Sequence, residues 1–229
     1  MNGGTLYLVG TPIGNMSDIS ERAVETLRTV DLIACEDTRS ASRILAKFEI
    51  EKRMIVYEDS RESRVAPMLL EELKAGKNIA LVSDAGMPSI SDPGFRIVRL
   101  CRKDGIDVLP VPGPTAFTAA LAASGLPSHG FLFAGFLPAK TSARKNFFEK
   151  YRDFEFTLCL YESTHRIEKF IDDLVDTLGP DRFVCVAKEI TKLHERFFIG
   201  RAEDVKKSIA SANTKGEFVV LIAPEGYEI

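Results

Sequence analysis

The chain has 229 residues, of which 45% are hydrophobic and 28% are charged, a composition typical of a globular protein rather than a disordered one. The 30 Lys and Arg residues against 33 Asp and Glu residues give a formal net charge of −3, which excludes a broadly basic nucleic-acid coat but not a local basic patch. No apolar run approaches the ~18 residues that a membrane-spanning helix needs, and the N-terminal segment lacks the basic start of a signal peptide. We therefore expect a cytoplasmic protein of one large or two small domains, without a membrane partner.

In the first half of the chain, short apolar runs alternate with segments of helical periodicity. The predicted strands are 5–10, 31–36, 54–59, 78–84 and 107–112. Helices are predicted between them, with Ser17 or Asp18 capping the first, Gly76 ending the third and Asp92 capping the fourth. This alternation with short connections predicts a parallel sheet covered by helices on both faces, with ligands beyond the carboxyl ends of its strands.

The segment at 112–127 differs in composition from the preceding sequence because it is rich in Ala and other small residues. We place the domain boundary there, giving domains 1–113 and 114–229. The strands predicted in the second half are 131–136, 156–163, 183–191, 194–200 and 216–224. The third and fourth of these are close enough to form a hairpin around Lys192–Leu193, and helices are predicted between the others. The second half is therefore predicted to contain a mixed sheet.

The cysteines and histidines argue against disulfides and metal sites. They are Cys35, Cys101, Cys159 and Cys185, and His129, His165 and His194. No two cysteines have CxxC spacing, and no two histidines have the spacing of metal ligands. We expect buried, reduced thiols and no metal.

Three loops that follow predicted strands have unusual compositions: GTPIGN at 10–15, SDAGMPSISDPG at 83–94 and PGPTA at 112–116. The first is not a GxGxxG or phosphate-binding loop, because Pro12 removes a backbone donor and the spacing differs. The second is longer than the ~2–6 residues of an ordinary connection, and its small residues allow a backbone to approach a ligand closely. A tight turn, a helix cap at Asp92 and a domain hinge are the structural alternatives for the three loops.

Two segments of the second half carry several titratable groups at strand ends, YESTHR at 161–166 and AKEITK at 187–192. Glu–Lys neighbours of this kind are most often solvated ion pairs, but their position raises the probability of a functional role. The residues alone therefore indicate a two-domain α/β enzyme with a cofactor crevice.

The segments LYLVGTPIGN, DLIACEDTR, LVSDAGMPSISDPG, VPGPTA, YESTHR, AKEITKLHE and GEFVVLI, in this order from residue 6 to 222, resemble the tetrapyrrole methylase superfamily. The resemblance is closest to its ribosomal RNA branch, which methylates the 2′-oxygen of a cytidine ribose in 16S rRNA. It implies the two-domain fold of that superfamily, S-adenosyl-L-methionine in the interdomain cleft, a homodimer, and the small ribosomal subunit as a partner. One position departs from the family pattern, since Thr164 replaces a proline.

The resemblance also implies that the cofactor is held mostly by backbone groups. The residues it assigns to cofactor binding are Pro12, Val82, Ser83, Asp84, Met87, Thr115, Ala116, Tyr161 or Glu162, Ala187 and Glu217.

Methylation of a ribose requires that the 2′-hydroxyl be aligned and lose its proton. The titratable candidates are Asp37, Glu58, Glu162, Lys188 and Glu189. We favour the Lys188–Glu189 pair and the Glu36–Asp37 pair as the catalytic groups. The structural alternative is that Glu36 and Asp37 only hold Arg39.

Binding of RNA requires positive charge despite the net −3. The basic residues that follow predicted strand ends, and that we expect at one rim, are Arg39, Arg43, Arg61, Arg64, Lys140, Arg144 and Lys145. Each could instead be an ordinary solvated surface charge. The rival functions are a tetrapyrrole methyltransferase, a non-catalytic cofactor-binding regulator and, more remotely, a nicotinamide oxidoreductase.

Overall fold

The computed structural model describes residues 3–229 and divides into two compact units, the first ending at Thr115 and the second beginning at Ala116. That the ranges 1–113 and 114–229 are separate folding domains stays a prediction. Among the described residues, no helix is long and apolar enough to cross a bilayer.

The first unit is a parallel sheet with helices on both faces, as predicted. Its strands are β1 (Leu6–Val9), β2 (Leu32–Cys35), β3 (Met54–Val56), β4 (Ile79–Val82) and β5 (Val108–Val111). Its helices are α1 (Glu21–Thr29), α2 (Thr38–Lys47), α3 (Glu62–Lys74) and α4 (Phe95–Lys103). The strand order is β3-β2-β4-β1-β5, and every neighbouring pair is parallel. Each strand is shorter than predicted, because the polar residues at its ends turn into loops.

Successive strand residues of this sheet enter two separate cores, as a sheet covered on both faces requires. Ala34 packs with residues of α3 and α4. Its neighbour Ile33 packs with residues of α1 and α2. The strand residues thus pack into the two cores, and the polar residues available for chemistry lie in the loops at the strand ends.

Two predicted helix caps are wrong. Ser20, rather than Ser17 or Asp18, caps α1 by accepting a hydrogen bond from the Ala23 N–H at 3.1 Å. A short 3-10 turn at Met16–Asp18 displaces the helix start. Asp92 does not cap α4, which begins after Gly94 with no side-chain cap from its own flank.

The acceptor at the start of α4 is Glu62, a residue of α3. Its Oε1 accepts hydrogen bonds from the Gly94 N–H at 3.0 Å and the Arg96 N–H at 3.2 Å. Tyr57 Oη donates to the same oxygen at 2.9 Å. A local sequence pattern does not reveal a partner so far along the chain.

The second unit contains a mixed sheet, also as predicted. Its strands are β6 (Phe131–Phe136), β7 (Thr157–Ser163), β8 (Phe183–Lys188), β9 (Arg196–Arg201) and β10 (Glu217–Ile222). Its helices are α5 (Ala116–Ala123), α6 (Thr141–Lys150), α7 (Ile167–Leu178) and α8 (Ala202–Ala210). The strand order is β6-β7-β10-β8-β9, with β6 and β7 parallel and the other pairs antiparallel. The predicted β8–β9 hairpin is present, with Lys188 opposite Arg196.

The register of this sheet separates neighbouring side chains onto two faces. Phe218 pairs with both Glu162 and Lys188, and this row lies on the face that α6, α7 and α8 cover. Val219 pairs with Tyr161 and Ala187 in the next row, which therefore points to the opposite face. On that face, Tyr161 meets the Phe133 ring edge-on at 5.0 Å.

The four cysteines are free and buried, as predicted. Burial raises the pKa of Cys35 and Cys101 to about 11 and that of Cys159 and Cys185 to about 12. The thiols are therefore protonated at neutral pH and act as small apolar side chains.

Candidate functional site

The loops after β1 and β4 are joined by a pair of backbone hydrogen bonds. The Thr11 N–H donates to Gly86 O at 2.9 Å, and the Gly86 N–H donates to Thr11 O at 3.1 Å. The buried Thr11 hydroxyl also donates to Ser83 O at 3.2 Å. The segments predicted to hold a cofactor, at Pro12 and at Ser83, are thus held together at the carboxyl edge of the sheet.

The loop after β5 joins them through a contact between two glycines. A Cβ on Gly10 would lie 2.6 Å from Gly113 Cα and 2.7 Å from Met87 Sδ. A Cβ on Gly113 would lie 2.7 Å from Gly10 Cα. Only glycine at both positions permits this approach, so the sequence brings three loops together with backbone rather than side chains at their centre.

The predicted cofactor residues of the first unit are distributed over these three loops. Pro12, Val82 and Ser83 are buried, Met87 and Thr115 are half-buried, and Asp84 is exposed at the tip of β4. Ala116 is half-buried and begins α5 of the second unit.

Carboxylates from three connections gather at the same edge. Burial raises the pKa of Asp92 to about 6, and repulsion from Asp84 and Asp59 adds to the effect against a hydrogen bond from Ser83. Burial also raises the pKa of Glu36, together with repulsion from Asp92 and Asp84. The first unit thus presents concentrated negative charge beside the glycine-centred loops.

Asp37 has the geometry expected of a residue that only caps a helix and holds Arg39. It caps α2 by accepting from the Arg39 N–H at 2.8 Å, and it also accepts from Arg39 Nε at 2.9 Å. The Arg39 hydrogen bonds hold the pKa of Asp37 below its ordinary value. A carboxylate of this kind is a weak proton acceptor, so its predicted role as a base has no support from its surroundings.

In the second unit, Glu189 joins the ends of β8 and β10. Its Oε1 accepts from Lys192 Nζ and from the Glu217 N–H, each at 2.9 Å. A Cβ on Gly216 would lie 2.6 Å from Glu189 Cδ. Burial alone would raise the pKa of Glu189, but the hydrogen bonds from Lys192 and the Glu217 N–H outweigh it and lower the pKa. Glu189 is therefore an anchored anion.

Thr164, the position that departs from the family pattern, also joins this group. Its hydroxyl donates to Gly216 O at 2.5 Å and lies 2.6 Å from Gly216 N. The end of β7 is thereby attached to the start of β10, a contact that a proline could not make.

Glu162 and Lys188 do not share a face with the other predicted residues of this unit. Glu162 is 1% exposed, accepts from the Ser163 N–H at 2.7 Å and lies 3.3 Å from Arg166. Glu162 is thus an internal ion-pair partner, and Tyr161 on the opposite face is the better cofactor candidate. Lys188 is 8% exposed, and its Nζ donates to Asn213 O after α8. From the sequence, adjacent strand residues such as Tyr161 and Glu162 are predicted to belong to one site. Adjacent residues of a strand point to opposite faces of the sheet, so the fold separates them.

The predicted basic residues fall into three groups. Arg39 and Arg43 are exposed on α2, and Arg61 and Arg64 are exposed just before α3 and in its first turn. These helices follow the adjacent strands β2 and β3. Lys140 is exposed just before α6, and Lys145 is half-buried beside Asp176 at 2.9 Å.

Arg144 does not belong with them. It is 1% exposed, and its Nε donates to Asp173 at 2.8 Å. The prediction that Arg144 binds RNA is therefore wrong, because the helix face that carries it packs against α7. Lys140 and Lys145 precede and follow it on the chain, which is why the run looked uniformly basic.

Several residues that hold the loops and helices of the first unit in place were not predicted from the sequence. Thr11 and the pair Gly10–Gly113 hold the three loops together, and Glu62 fixes the start of α4. The glycines were visible within the unusual loops, but their mutual contact depends on the strand order. No local signal identifies Glu62.

Comparison with known proteins provides four matches. The sequence profile of Tetrapyrrole (Corrin/Porphyrin) Methylases matches residues 5–206. A relative from Haemophilus influenzae, named ribosomal RNA small subunit methyltransferase I, is 46% identical over 221 residues, covering 96% of this chain and 78% of the relative. Among solved structures, diphthine synthase aligns with a TM-score of 0.77 at 19% identity over 98% of this chain and 92% of that chain. Uroporphyrin-III C-methyl transferase from Thermus thermophilus, complexed with S-adenosyl homocysteine, aligns with a TM-score of 0.64 at 21% identity over 96% and 97% of the two chains.

Proposed function

The chain belongs to the tetrapyrrole (corrin/porphyrin) methylase family, and from that premise we propose that it methylates ribosomal RNA of the small subunit with S-adenosyl-L-methionine. The observation that carries this proposal is the 46% identity over 96% of the chain to a protein named for that activity. The tetrapyrrole-directed neighbour aligns at only 21% identity, which supports the shared fold rather than a shared substrate. The target atom we propose is the 2′-oxygen of a cytidine ribose in 16S rRNA.

The residues of the first unit suit such a cofactor. S-adenosylmethionine supplies an electrophilic methyl group on a positively charged sulfonium. The glycine contact between Gly10 and Gly113 leaves backbone rather than side chains at the loop centre, and close backbone approach suits a large, polar ligand. Glu36, Asp84 and Asp92 supply the negative charge that a cationic group requires. We propose that Pro12, Val82, Ser83, Asp84, Met87, Thr115 and Ala116 bind it, with Tyr161, Ala187 and Glu217 of the second unit.

Attack by the 2′-oxygen releases a proton, and a base accepts it most efficiently when its pKa lies near the working pH. Asp37 and Glu189 have lowered pKa values and suit positioning roles. Glu36 has a raised pKa beside the cofactor loops. We therefore propose Glu36 as the proton acceptor, with Asp37 orienting Arg39, and Lys188 and Glu189 as binding and positioning groups of the second unit.

A separate test addresses Glu36. Glu36→Gln removes the ionisable group while keeping its shape, and we expect kcat to fall roughly 10²-fold, within the range of general-base contributions. The acidic limb of the kcat–pH profile should disappear in this variant. Retention of that limb would assign the proton transfer to another group.

The activity itself is tested by transfer of labelled methyl from S-adenosylmethionine to small ribosomal subunits that lack the modification. Free RNA and a tetrapyrrole are the alternative acceptors. Digestion of the RNA to nucleosides should place the label in 2′-O-methylcytidine. Label only on the tetrapyrrole would replace the RNA function with the rival enzyme, and cofactor binding without transfer to any acceptor would leave a non-catalytic binder.

Two further parts of the proposal concern location and assembly. The substrate places the protein in the cytoplasm, where small ribosomal subunits are modified. A homodimer is implied by the family resemblance, and light scattering coupled to gel filtration should give a mass of twice 25.3 kDa. A mass of one chain at micromolar concentration would contradict it.

A further inference from the structure

A cavity of about 670 Å³ lies in the second unit, between the β8–β9 hairpin and the loop that follows α8. Its lining includes the basic side chains of Lys188, His194, Arg196 and Lys215. Lys188 reaches the loop after α8, on the face opposite to that of Tyr161 and Ala187. The Lys188 side of the cavity thus lies on the face of the sheet opposite to Tyr161 and Ala187, and Glu189 and Gly216 form the edge of the cavity next to Glu217.

The carboxylates that line this cavity already have partners. Glu189 accepts from Lys192 Nζ and from the Glu217 N–H. Glu195 accepts from the Thr191 N–H at 2.6 Å. Within residues 3–229, by contrast, Lys188, Arg196 and Lys215 make no ion pair within 4 Å, so these three cations are the lining groups most available to an anionic ligand.

Lys188 is the buried member of the basic set. It is 8% exposed, and its ammonium donates to a neutral partner, the Asn213 carbonyl. The nearby carboxylate of Glu189 interacts electrostatically with Lys188 but is hydrogen-bonded to Lys192 and the Glu217 N–H. An ammonium group has three donors, so an anion in the cavity would give Lys188 a charged hydrogen-bond partner.

Arg196 makes a cation–π contact and remains available to the same ligand. Its guanidinium lies 4.7 Å from the centre of the Phe198 ring. A guanidinium has five N–H donors, from which a phosphate can accept two hydrogen bonds.

We propose that this cavity binds a phosphate group of the RNA substrate's backbone. The proposal rests on the RNA methyltransferase function proposed above and adds a second RNA contact, on the face of the sheet opposite to Tyr161 and Ala187. Lys188, Arg196 and Lys215 together offer a phosphodiester three cationic hydrogen-bond donors in one cavity.

The test uses Arg196→Gln and Lys215→Met, with Arg201→Gln at the other end of β9 and Lys207→Met on α8 as matched controls. The Kd for a 16S rRNA fragment is measured against KCl concentration, together with KM for undermethylated small subunits and calorimetric affinity for S-adenosylhomocysteine. Each cavity variant should weaken RNA binding roughly tenfold, as expected for a lost charge-assisted hydrogen bond. Each should also reduce the slope of log Kd against log salt by about 0.7, leave kcat and cofactor affinity unchanged, and differ from both controls.

Other outcomes overturn the proposal or separate it from the function. RNA affinity and KM equal to those of the control variants would overturn it. Binding of inorganic phosphate at constant ionic strength is followed by the NMR shift of the Gly216 amide. A shift that Arg196→Gln abolishes, with RNA affinity unchanged, would assign the cavity to a small phosphate and overturn the RNA source. Salt-dependent RNA binding that is lost in the cavity variants, without methyl transfer by the unmodified chain, would uphold the cavity and overturn the proposed function.

Discussion

At the scale of single residues, the buried pair Arg144–Asp173 shows how a charge acquires a structural role. Arg144→Met leaves Asp173, itself 4% exposed, with Lys145 at 3.9 Å as its remaining ion-pair partner. Removing one partner of a buried pair costs ~3–5 kcal/mol, and we expect the free energy of unfolding in urea to fall by that amount. Lys145→Met, which removes a surface ion pair with Asp176, should cost much less. Unchanged stability with weakened RNA binding would restore Arg144 to the RNA contacts.

Asp92 illustrates the opposite case, a carboxyl group whose surroundings disfavour its ionised form. Its folded-state pKa, about 6, lies above the ordinary value of 3.8, so it stabilises the fold in its protonated form. That contribution is fully present below about pH 4 and is lost as the pH rises through about 6. Asp92→Asn should therefore stabilise the protein at pH 7.5 by on the order of 1–2 kcal/mol, a figure reduced for partial solvent screening.

The same substitution should weaken cofactor binding, because it removes negative charge beside the proposed sulfonium position. Thermal unfolding at pH 7.5 and pH 4 measures the first effect, and calorimetry with S-adenosylmethionine measures the second. A stability gain that is equal at both pH values would show that the charge of Asp92 is not its cause.

At the scale of elements, Glu62 couples α3 to α4. Glu62→Ala leaves the Gly94 and Arg96 N–H groups and the Tyr57 hydroxyl without their acceptor, at a cost of ~1–3 kcal/mol. Glu62→Gln keeps an oxygen at Oε1 and should cost clearly less. Glu71→Ala on the exposed side of α3 is the matched control, and chemical denaturation compares the three. Equal losses for the Ala and Gln variants would show that the carboxylate charge, rather than the acceptor, holds α4.

Prediction of elements succeeded where the pattern is local and failed where partners are distant. Apolar runs located all ten strands, because a buried parallel strand such as β4 reads as an uninterrupted apolar segment. Predicted helix starts were less accurate. Ser20 lies close to Ser17 and Asp18, which are equally plausible caps for α1, and Glu62 lies far from α4 in the sequence. The division of Tyr161 and Glu162 onto opposite faces follows from the strand period alone and could have been predicted, whereas the burial of Arg144 depends on α7.

At the scale of the whole molecule, the net charge of −3 conceals a local concentration of arginine. Arg43 is exposed in the middle of α2 and Arg64 in the first turn of α3, and these helices follow adjacent strands. Association with RNA depends on such local groups rather than on total charge. The glycine-rich loops follow β1, β4 and β5, and the arginine-bearing helices α2 and α3 follow β2 and β3. All of them leave the carboxyl edge of the same parallel sheet, so a ligand at this edge can contact both the loops and the arginines although the chain is acidic overall.

This arrangement predicts that RNA binding is salt-dependent although the chain is acidic. Log Kd for single-stranded RNA should change with log salt by about 0.7 for each phosphate contact. The double variant Arg43→Gln/Arg64→Gln should reduce that slope by about 1.4 and raise KM for the subunit, because two contacts are lost. Arg99→Gln on α4 and Arg22→Gln on α1, both exposed, are the matched control charges, and filter binding from 50 to 400 mM KCl gives the slopes. A slope near zero for the unmodified chain would mean that phosphates contribute little and would contradict an RNA-binding role for these arginines.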